Sequence, residues 1–255
     1  MTFSKVFPKT ALKASKVLIK VSIIVPAYNE ERRSGTFLPK LLDFVKRKIK
    51  NCEVLIVDDV SKDKTRDKIN SIIQSKDCGK FAKVIGYKKN QGKGNAVAHG
   101  VMNAKGEKII FIDADGSIQP DQIPKMIYYL GKCDVVVADR LSRKSKVKRV
   151  LTRAIASFGF NTFVSILFQY SYRDNLCGFK GFKRKVAREI FKDLIDKRWV
   201  FDVELFYKIK KRKYSIYFLP ITWKHVGDSR INLIKDPFVW IFRLLKLRVN
   251  LAKWK

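Results

Sequence analysis

The sequence lacks any run of about 20 apolar residues free of polar interruption, so it carries no signature of a membrane-spanning helix. Histidine is nearly absent. His99 and His225 stand too far apart to form a local metal motif and are read as structural. The four cysteines, Cys52, Cys78, Cys133 and Cys177, form no CxxC pair. That pattern argues against a structural zinc site or a disulfide framework and suits free thiols in a reducing compartment. Near the N-terminus, Lys13, Lys16 and Lys20 interrupt the apolar residues, which excludes the continuous core of a signal peptide. Internal repeats and low-complexity linkers are missing too, and the expectation is one compact unit.

Acidic residues are scarce. Only 23 Asp+Glu face 55 Lys+Arg, a net charge of +32, most of it beyond residue 140. Such a chain seeks polyanions: nucleic acid, an anionic bilayer, or phosphorylated substrates.

What is present points to an α/β fold. At 255 residues and 46% hydrophobic content, the chain can build one sizeable domain. Short β-branched runs at Val21–Val25, Glu53–Val57, Val84–Tyr87, Lys108–Ile112 and Asp134–Ala138 predict strands. Helical spacing fills the intervals at Phe37–Lys48, Lys64–Ser75, Gly94–Asn103 and Pro120–Leu130. This alternation predicts a mostly parallel, Rossmann-like sheet flanked by helices, with ligands at the carboxyl ends of the strands.

The polar and acidic residues fall at those ends. Tyr28, Asn29 and Glu30 follow the first strand, Asp58 and Asp59 close the second, and Asp113 and Asp115 close the fourth. A single acidic strand end is more often a helix cap or turn, but three converging ends make a binding crevice. Two carboxylates one residue apart, Asp113 and Asp115 around Ala114, suit a hard cation such as Mg²⁺ or Mn²⁺ shared with diphosphate oxygens. Lys93, in the turn NQGKG, is placed to face phosphates, although the turn lacks the GxxxxGK[ST] pattern of a P-loop. Because no nucleic-acid motif is present and bare carboxylates repel phosphates, no nucleic-acid partner is expected.

Four segments, VSIIVPAYNEE at 21–31, VLIVDDVSKDKT at 54–65, NQGKGNAVAHG at 90–100 and IIFIDADG at 109–116, resemble the inverting family-2 glycosyltransferases of GT-A fold. The second half, through DNLCGFKGF at 174–182 and RWVFDVELFYKIKK at 198–211, resembles their dolichyl-phosphate β-glucosyltransferase branch. The resemblance implies a nucleotide-sugar donor, UDP-glucose first, and a dolichyl or other polyprenyl phosphate as acceptor. GDP-mannose as donor, or a carbohydrate acceptor, is the alternative. The resemblance assigns Ala27, Tyr28, Glu30, Asp58 and Asp59 to the nucleotide base and ribose; Pro26, Lys93, Asp113, Ala114 and Arg198 are expected at the nucleotide sugar beside them, with Asp113 and Asp115 on the metal.

Arg140 follows the fifth strand, and Arg153 and Ser157 are spaced i, i+4 on a presumed helix, so the three could converge on one phosphate. Related polyprenyl-phosphate mannosyltransferases hold the acceptor phosphate with an arginine and a serine at similar spacing. Lys180 is expected beside that phosphate. Asp115, Arg140 and Asp202 are placed at the reaction, Asp202 and Glu204 positioning basic side chains and not removing a proton. Two departures from the family stand out: Val60 replaces a small residue in the turn after Asp59, and Ser117 replaces a glutamine common near the metal in the mannosyl branch.

Three regions are expected: a basic N-terminal segment over 1–20, a catalytic domain over 21–235 with an interfacial helix at about 149–172, and a basic amphipathic helix over 236–255. Phe238, Trp240, Ile241, Leu244 and Leu245 interleaved with Arg243, Lys246 and Arg248 have the composition of an anchor on an anionic membrane surface. The expected place is the cytoplasmic face of a membrane, held peripherally or monotopically.

Overall fold

The computed structural model describes residues 18–148, 151–170, 172, 174–226 and 235–254, with the backbone alone at 148, 151–156 and 235–238. The five expected strands form as β1 (Val21–Ala27), β2 (Cys52–Asp58), β3 (Ala82–Gly86), β4 (Lys108–Ile112) and β5 (Val135–Asp139). Four more strands were not expected: β6 (Lys146–Lys148), β7 (Phe179–Lys183), β8 (Ile216–Pro220) and β9 (Thr222–Lys224). The helices are α1 (Glu31–Lys48), α2 (Thr65–Ser75), α3 (Lys93–Asn103), α4 (Ile123–Tyr129), α5 (Leu151–Phe168), α6 (Arg184–Lys192), α7 (Phe201–Lys211) and α8 (Lys235–Ala252).

Seven strands form one sheet in the order β3-β2-β1-β4-β7-β5-β8, and six of them run parallel. The exception is β7, antiparallel to both β4 and β5. Two registers place the site. Ala27 lies opposite Asp58, so the turns after β1 and β2 leave the sheet side by side. Ile112 lies opposite Phe179, so the loop entering β7 sits over the residues that follow β4.

Alternation along the strands supplies two cores. Ile23, Val25, Val54 and Ile56 face one way and meet Phe37, Leu38, Leu41 and Leu42 of α1, with Ile69 of α2 and Met126 of α4. Ile24, Leu55 and Val57 face the other way and meet Ala96, Val97 and Val101 of α3 and the helices of the second half. Each such side chain fully buried stabilises the fold by about 1.5–3 kcal/mol before chain entropy is subtracted.

The helices expected at an interface are only half committed to this core. Val164 and Phe168 of α5 and Leu244, Leu247 and Leu251 of α8 are buried, and Phe160 meets Trp240 edge-on with ring centroids 5.6 Å apart. Phe158 and Ile166 on α5, and Val239, Phe242, Leu245 and Val249 on α8, stay exposed. Among the described residues no helix is long and apolar enough to cross a membrane. The expected basic segment over 1–20 lies outside the described residues up to position 17, as do positions 149–150 and 171 of the expected interfacial helix.

Candidate active site

The turns after β1 and β2 are stitched together. Asn29, with φ 48°, donates its N–H to Ser61 Oγ at 3.0 Å and accepts the Lys62 N–H on Oδ1 at 2.8 Å. The N–H of Glu30 donates to Thr65 Oγ1 at 2.7 Å, while its carboxylate takes the Arg33 guanidinium at 2.6 and 2.7 Å. Asp58 accepts both the N–H and the hydroxyl of Ser61, at 3.2 and 2.6 Å. Pro26 and Ala27 belong to β1, Ala27 buried and Pro26 half-buried, and Tyr28 is half-buried in the turn beyond them.

Asp59 is an organiser of the crevice. Buried, it accepts the Tyr87 hydroxyl at 2.6 Å and the N–H groups of Gln91 and Gly92, both at 2.9 Å. It thereby fixes the NQGKG turn and the start of α3. Between the two turns Val60 takes φ 60°, a left-handed conformation that costs a β-branched residue about 1–2 kcal/mol. The departure noted at this position is therefore accommodated by strain, with Asp58 and Asp59 holding the backbone on its N-terminal side.

Beyond β4 the two carboxylates differ. Asp113 is half-exposed and contacts Lys93 Nζ at 2.7 Å through Oδ1 and 2.9 Å through Oδ2. Its N–H donates to the Gly178 carbonyl at 3.0 Å, and a Cβ on Gly178 would stand 1.9 Å from Asp113 Oδ2. Only glycine lets the β7 loop come this close. Asp115 accepts the Ser117 N–H at 2.8 Å across Gly116, whose φ is +75°. Burial and the charge of Asp113 hold the Asp115 carboxyl above its ordinary pKa. Burial pulls the Lys93 ammonium down, but Asp113 and Asp202 outweigh it and hold the group above its ordinary value. Asp113 and Asp115 thus form a carboxylate pair short of positive charge, with Lys93 as the cation beside it. Among the described residues no cluster of three or more His, Cys, Asp or Glu is arranged to hold a metal.

Across the crevice, Arg140 forks onto Asp174, with Nε 2.8 Å from Oδ2 and Nη2 2.6 Å from Oδ1, and its N–H also reaches Oδ2 at 2.9 Å. Burial works against the Asp174 charge, but the Arg140 guanidinium prevails and keeps the carboxyl below its usual range. The Arg140 guanidinium lies 5.7 Å from the Trp223 ring centroid. Asn175 ties the same loop to α5: it donates to Asn161 Oδ1 at 2.7 Å and accepts the Tyr170 hydroxyl at 2.7 Å. Asn161 also lies 3.3 Å from Ser157 Oγ, so Ser157 joins this network. Arg153 falls in α5 with its side chain outside the described residues.

Lys180 is a correction. Expected beside an acceptor phosphate, it is wholly buried in β7, its ammonium bound to Asp202 Oδ1 at 2.7 Å and to the carbonyls of Cys177 and Asn175 at 2.7 and 3.2 Å. Desolvating a lone ammonium is prohibitive, so the chain surrounds it with three acceptors. Asp202, itself buried and held above its ordinary pKa chiefly by burial, is the carboxylate that holds the Lys180 ammonium. Glu204 does likewise with Lys208 at 2.7 Å, both fully buried, and also accepts the N–H groups of Ile195 and Asp196. The loop so held carries Arg198, whose carbonyl accepts the Gly94 N–H at 3.1 Å and whose exposed side chain crosses Gly92.

Sequence reasoning missed Asp174, Asn175 and Gly178, which aim Arg140, bind α5 and admit Asp113. All lie within DNLCGFKGF, a segment noticed as a motif whose individual roles required the fold. His99 packs edge-on against Tyr87, as its structural reading implied.

Residues 22–191 match the family described as Glycosyl transferase family 2. The chain is 32% identical over 256 residues to a dolichyl-phosphate beta-glucosyltransferase of Dictyostelium discoideum, spanning 93% of this chain and 77% of that protein. It is 32% identical over 230 residues to the enzyme of the same name from Homo sapiens, spanning 83% of this chain and 69% of that one. Among solved structures, glucosyl-3-phosphoglycerate synthase of Mycobacterium tuberculosis, in complex with Mn²⁺, UDP-glucose and phosphoglyceric acid, superposes with a TM-score of 0.66. At 15% identity over 90% of this chain and 79% of that one, the likeness establishes the GT-A-like fold.

Proposed function

The chain belongs to glycosyl transferase family 2, and on that premise we propose that it transfers glucose from UDP-glucose to a dolichyl or other polyprenyl phosphate, with inversion. The observation that carries this reading is the crevice with two unlike sides: the Asp113, Asp115 and Lys93 group at the end of β4, and Arg140 held by Asp174 at the end of β5. The first suits a diphosphate and its cation. The second suits a phosphate monoester, which a guanidinium binds well.

Asp113 and Asp115 would hold Mg²⁺ or Mn²⁺, hard cations that suit carboxylate oxygens. Burial, and after it the Asp113 charge, hold the Asp115 carboxyl up, and a bound cation would offset both. Such an ion supplies Lewis-acid stabilisation of the departing nucleoside diphosphate. Lys93 provides positive charge beside the same oxygens. Tyr28, Asp58 and the frame around Asp59 shape the pocket for the base and ribose.

Arg140 orients the acceptor phosphate for in-line attack on the anomeric carbon, and Ser157 is tied through Asn161 and Asn175 to the loop that carries Asp174. A phosphate monoester has its second ionisation near pH 6 and is already largely a nucleophilic dianion at neutral pH. No residue is therefore required to remove a proton. The β-linked lipid-phosphate sugar and UDP leave with charges balanced.

The acceptor's lipid tail places the reaction at a membrane surface. The net charge of +32 and the exposed apolar residues of α5 and α8 support peripheral binding to anionic lipid at the cytoplasmic face. A donor panel of labelled UDP-glucose, GDP-mannose and UDP-N-acetylglucosamine, each with a short polyprenyl phosphate, tests the assignment. Transfer of glucose alone into the organic phase supports it, and transfer of mannose in preference overturns the donor.

A further inference from the structure

One large apolar side chain in the crevice has no part in the chemistry above. Trp199 is 41% exposed, although it sits on a loop held by hydrogen bonds on both sides. Asp196 Oδ1 accepts the N–H groups of Arg198 and Val200, at 2.8 and 3.3 Å. The carbonyls of Lys197 and Arg198 accept the N–H groups of Asn95 and Gly94, at 3.0 and 3.1 Å. Val200 and Phe201, directly after it, are fully buried. The backbone is thus pinned on both sides while the indole is turned outward.

Where it points is informative. Lys93 Nζ lies 5.7 Å from the Trp199 ring centroid and 2.7 Å from Asp113 Oδ1. The indole therefore borders the charged group that suits the diphosphate, one lysine ammonium away from Asp113. Carboxylates and an ammonium complement phosphates and hydroxyls, but a hexose chair also presents faces of C–H bonds. An aromatic face, negative at its centre, attracts those polarised C–H groups and shields them from water. Ligand pockets commonly combine such an apolar wall with a few placed polar groups.

We propose that Trp199 is the stacking platform for the donor's hexose and a determinant of its configuration, an inference that rests on the donor assignment above. In α-linked UDP-glucose the equatorial hydroxyls at C2, C3 and C4 leave the two faces unlike: the axial C1 oxygen interrupts one, and the other, carrying the axial C2 and C4 hydrogens, is uninterrupted. The axial C4 hydroxyl of galactose falls on that uninterrupted face and breaks it.

The test compares the full-length protein with Trp199→Ala and Trp199→Phe, measuring affinity for UDP and for UDP-glucose in Mn²⁺, and kcat/KM with UDP-glucose and UDP-galactose. The expected result is a loss of about tenfold in UDP-glucose affinity for Trp199→Ala, the size of one aromatic contact, with UDP affinity unchanged. Phenylalanine restores part of the loss, and the preference for glucose over galactose narrows only in the alanine variant. Equal weakening of UDP and UDP-glucose would assign the indole to the nucleotide or to loop structure and overturn the proposal. So would UDP-glucose affinity that does not change. If the unaltered protein fails to bind UDP-glucose while binding another nucleotide sugar, the donor assignment itself falls.

Discussion

The two halves of the molecule treat buried carboxylates differently. Before residue 140, Glu30 pairs with Arg33 and Asp58 lies 3.8 Å from Arg66, but Asp59 and Asp115 are held by backbone N–H groups and hydroxyls, with Lys93 beside the Asp113–Asp115 pair. After it, every buried acid among the described residues is matched to a cation: Asp174 to Arg140, Asp202 to Lys180, Glu204 to Lys208 and Asp196 to Arg243. The acid-poor half thus neutralises its acids, and the half with the smaller basic excess keeps unneutralised charge at the donor site. Net charge per segment says where polyanions are drawn; the pairing of individual side chains says where a cation is wanted.

The largest effect expected from this contrast is on stability. Lys180→Met leaves Asp202 buried without its partner and should destabilise the protein by about 3–5 kcal/mol in urea unfolding. Adding Asp202→Leu should recover most of that, because the cost lies in the orphaned charge. If the double variant is as unstable as the single, the pair does more than neutralise itself.

The next effect separates the two sides of the crevice. Arg140→Lys keeps the charge but loses the fork on Asp174, and should raise KM for polyprenyl phosphate about tenfold with UDP affinity unchanged. The same pair has a pH signature. The Asp174 carboxyl ionises more readily folded than unfolded, so its stabilisation is complete above the ordinary carboxylate pKa of about 4 and is lost as pH falls through the lower folded value. Asp174→Asn should therefore lower stability at neutral pH and flatten the acid limb of the unfolding profile.

The smallest effect belongs to the first half. Val60→Gly should relieve the left-handed strain and stabilise by about 1 kcal/mol or less, since glycine's extra freedom in the unfolded chain offsets part of the gain. A thermal melt reads it; destabilisation would mean that the valine side chain contributes packing that outweighs its backbone strain.

Legibility in the sequence followed the same division. The first five strands were readable because each carries a short apolar, mostly β-branched run, and the acidic ends of the first, second and fourth announced the crevice. β7 was not, because FKGFK places a lysine and a glycine at the centre of the sheet. Asp202, 22 positions away, supplies the one carboxylate among the three acceptors that make that lysine tolerable. For the same reason Lys180 looked available to a phosphate when it is sealed in. Arg140 was legible as a cation after β5, but its aim depends on Asp174, 34 positions on. Gly178 shows its role only once β7 is known to run antiparallel beside β4.

The central claim is that the carboxylate pair after β4 serves the donor's diphosphate through a divalent cation. The direct measurement is organic-phase label from UDP-glucose with polyprenyl phosphate, for the unaltered protein and Asp115→Asn, with Mn²⁺ and with chelator. A loss of about 100- to 1000-fold on chelation, and a similar loss in Asp115→Asn that added Mn²⁺ does not restore, is the predicted result for a folded variant. Undiminished transfer by Asp115→Asn in chelator would contradict it.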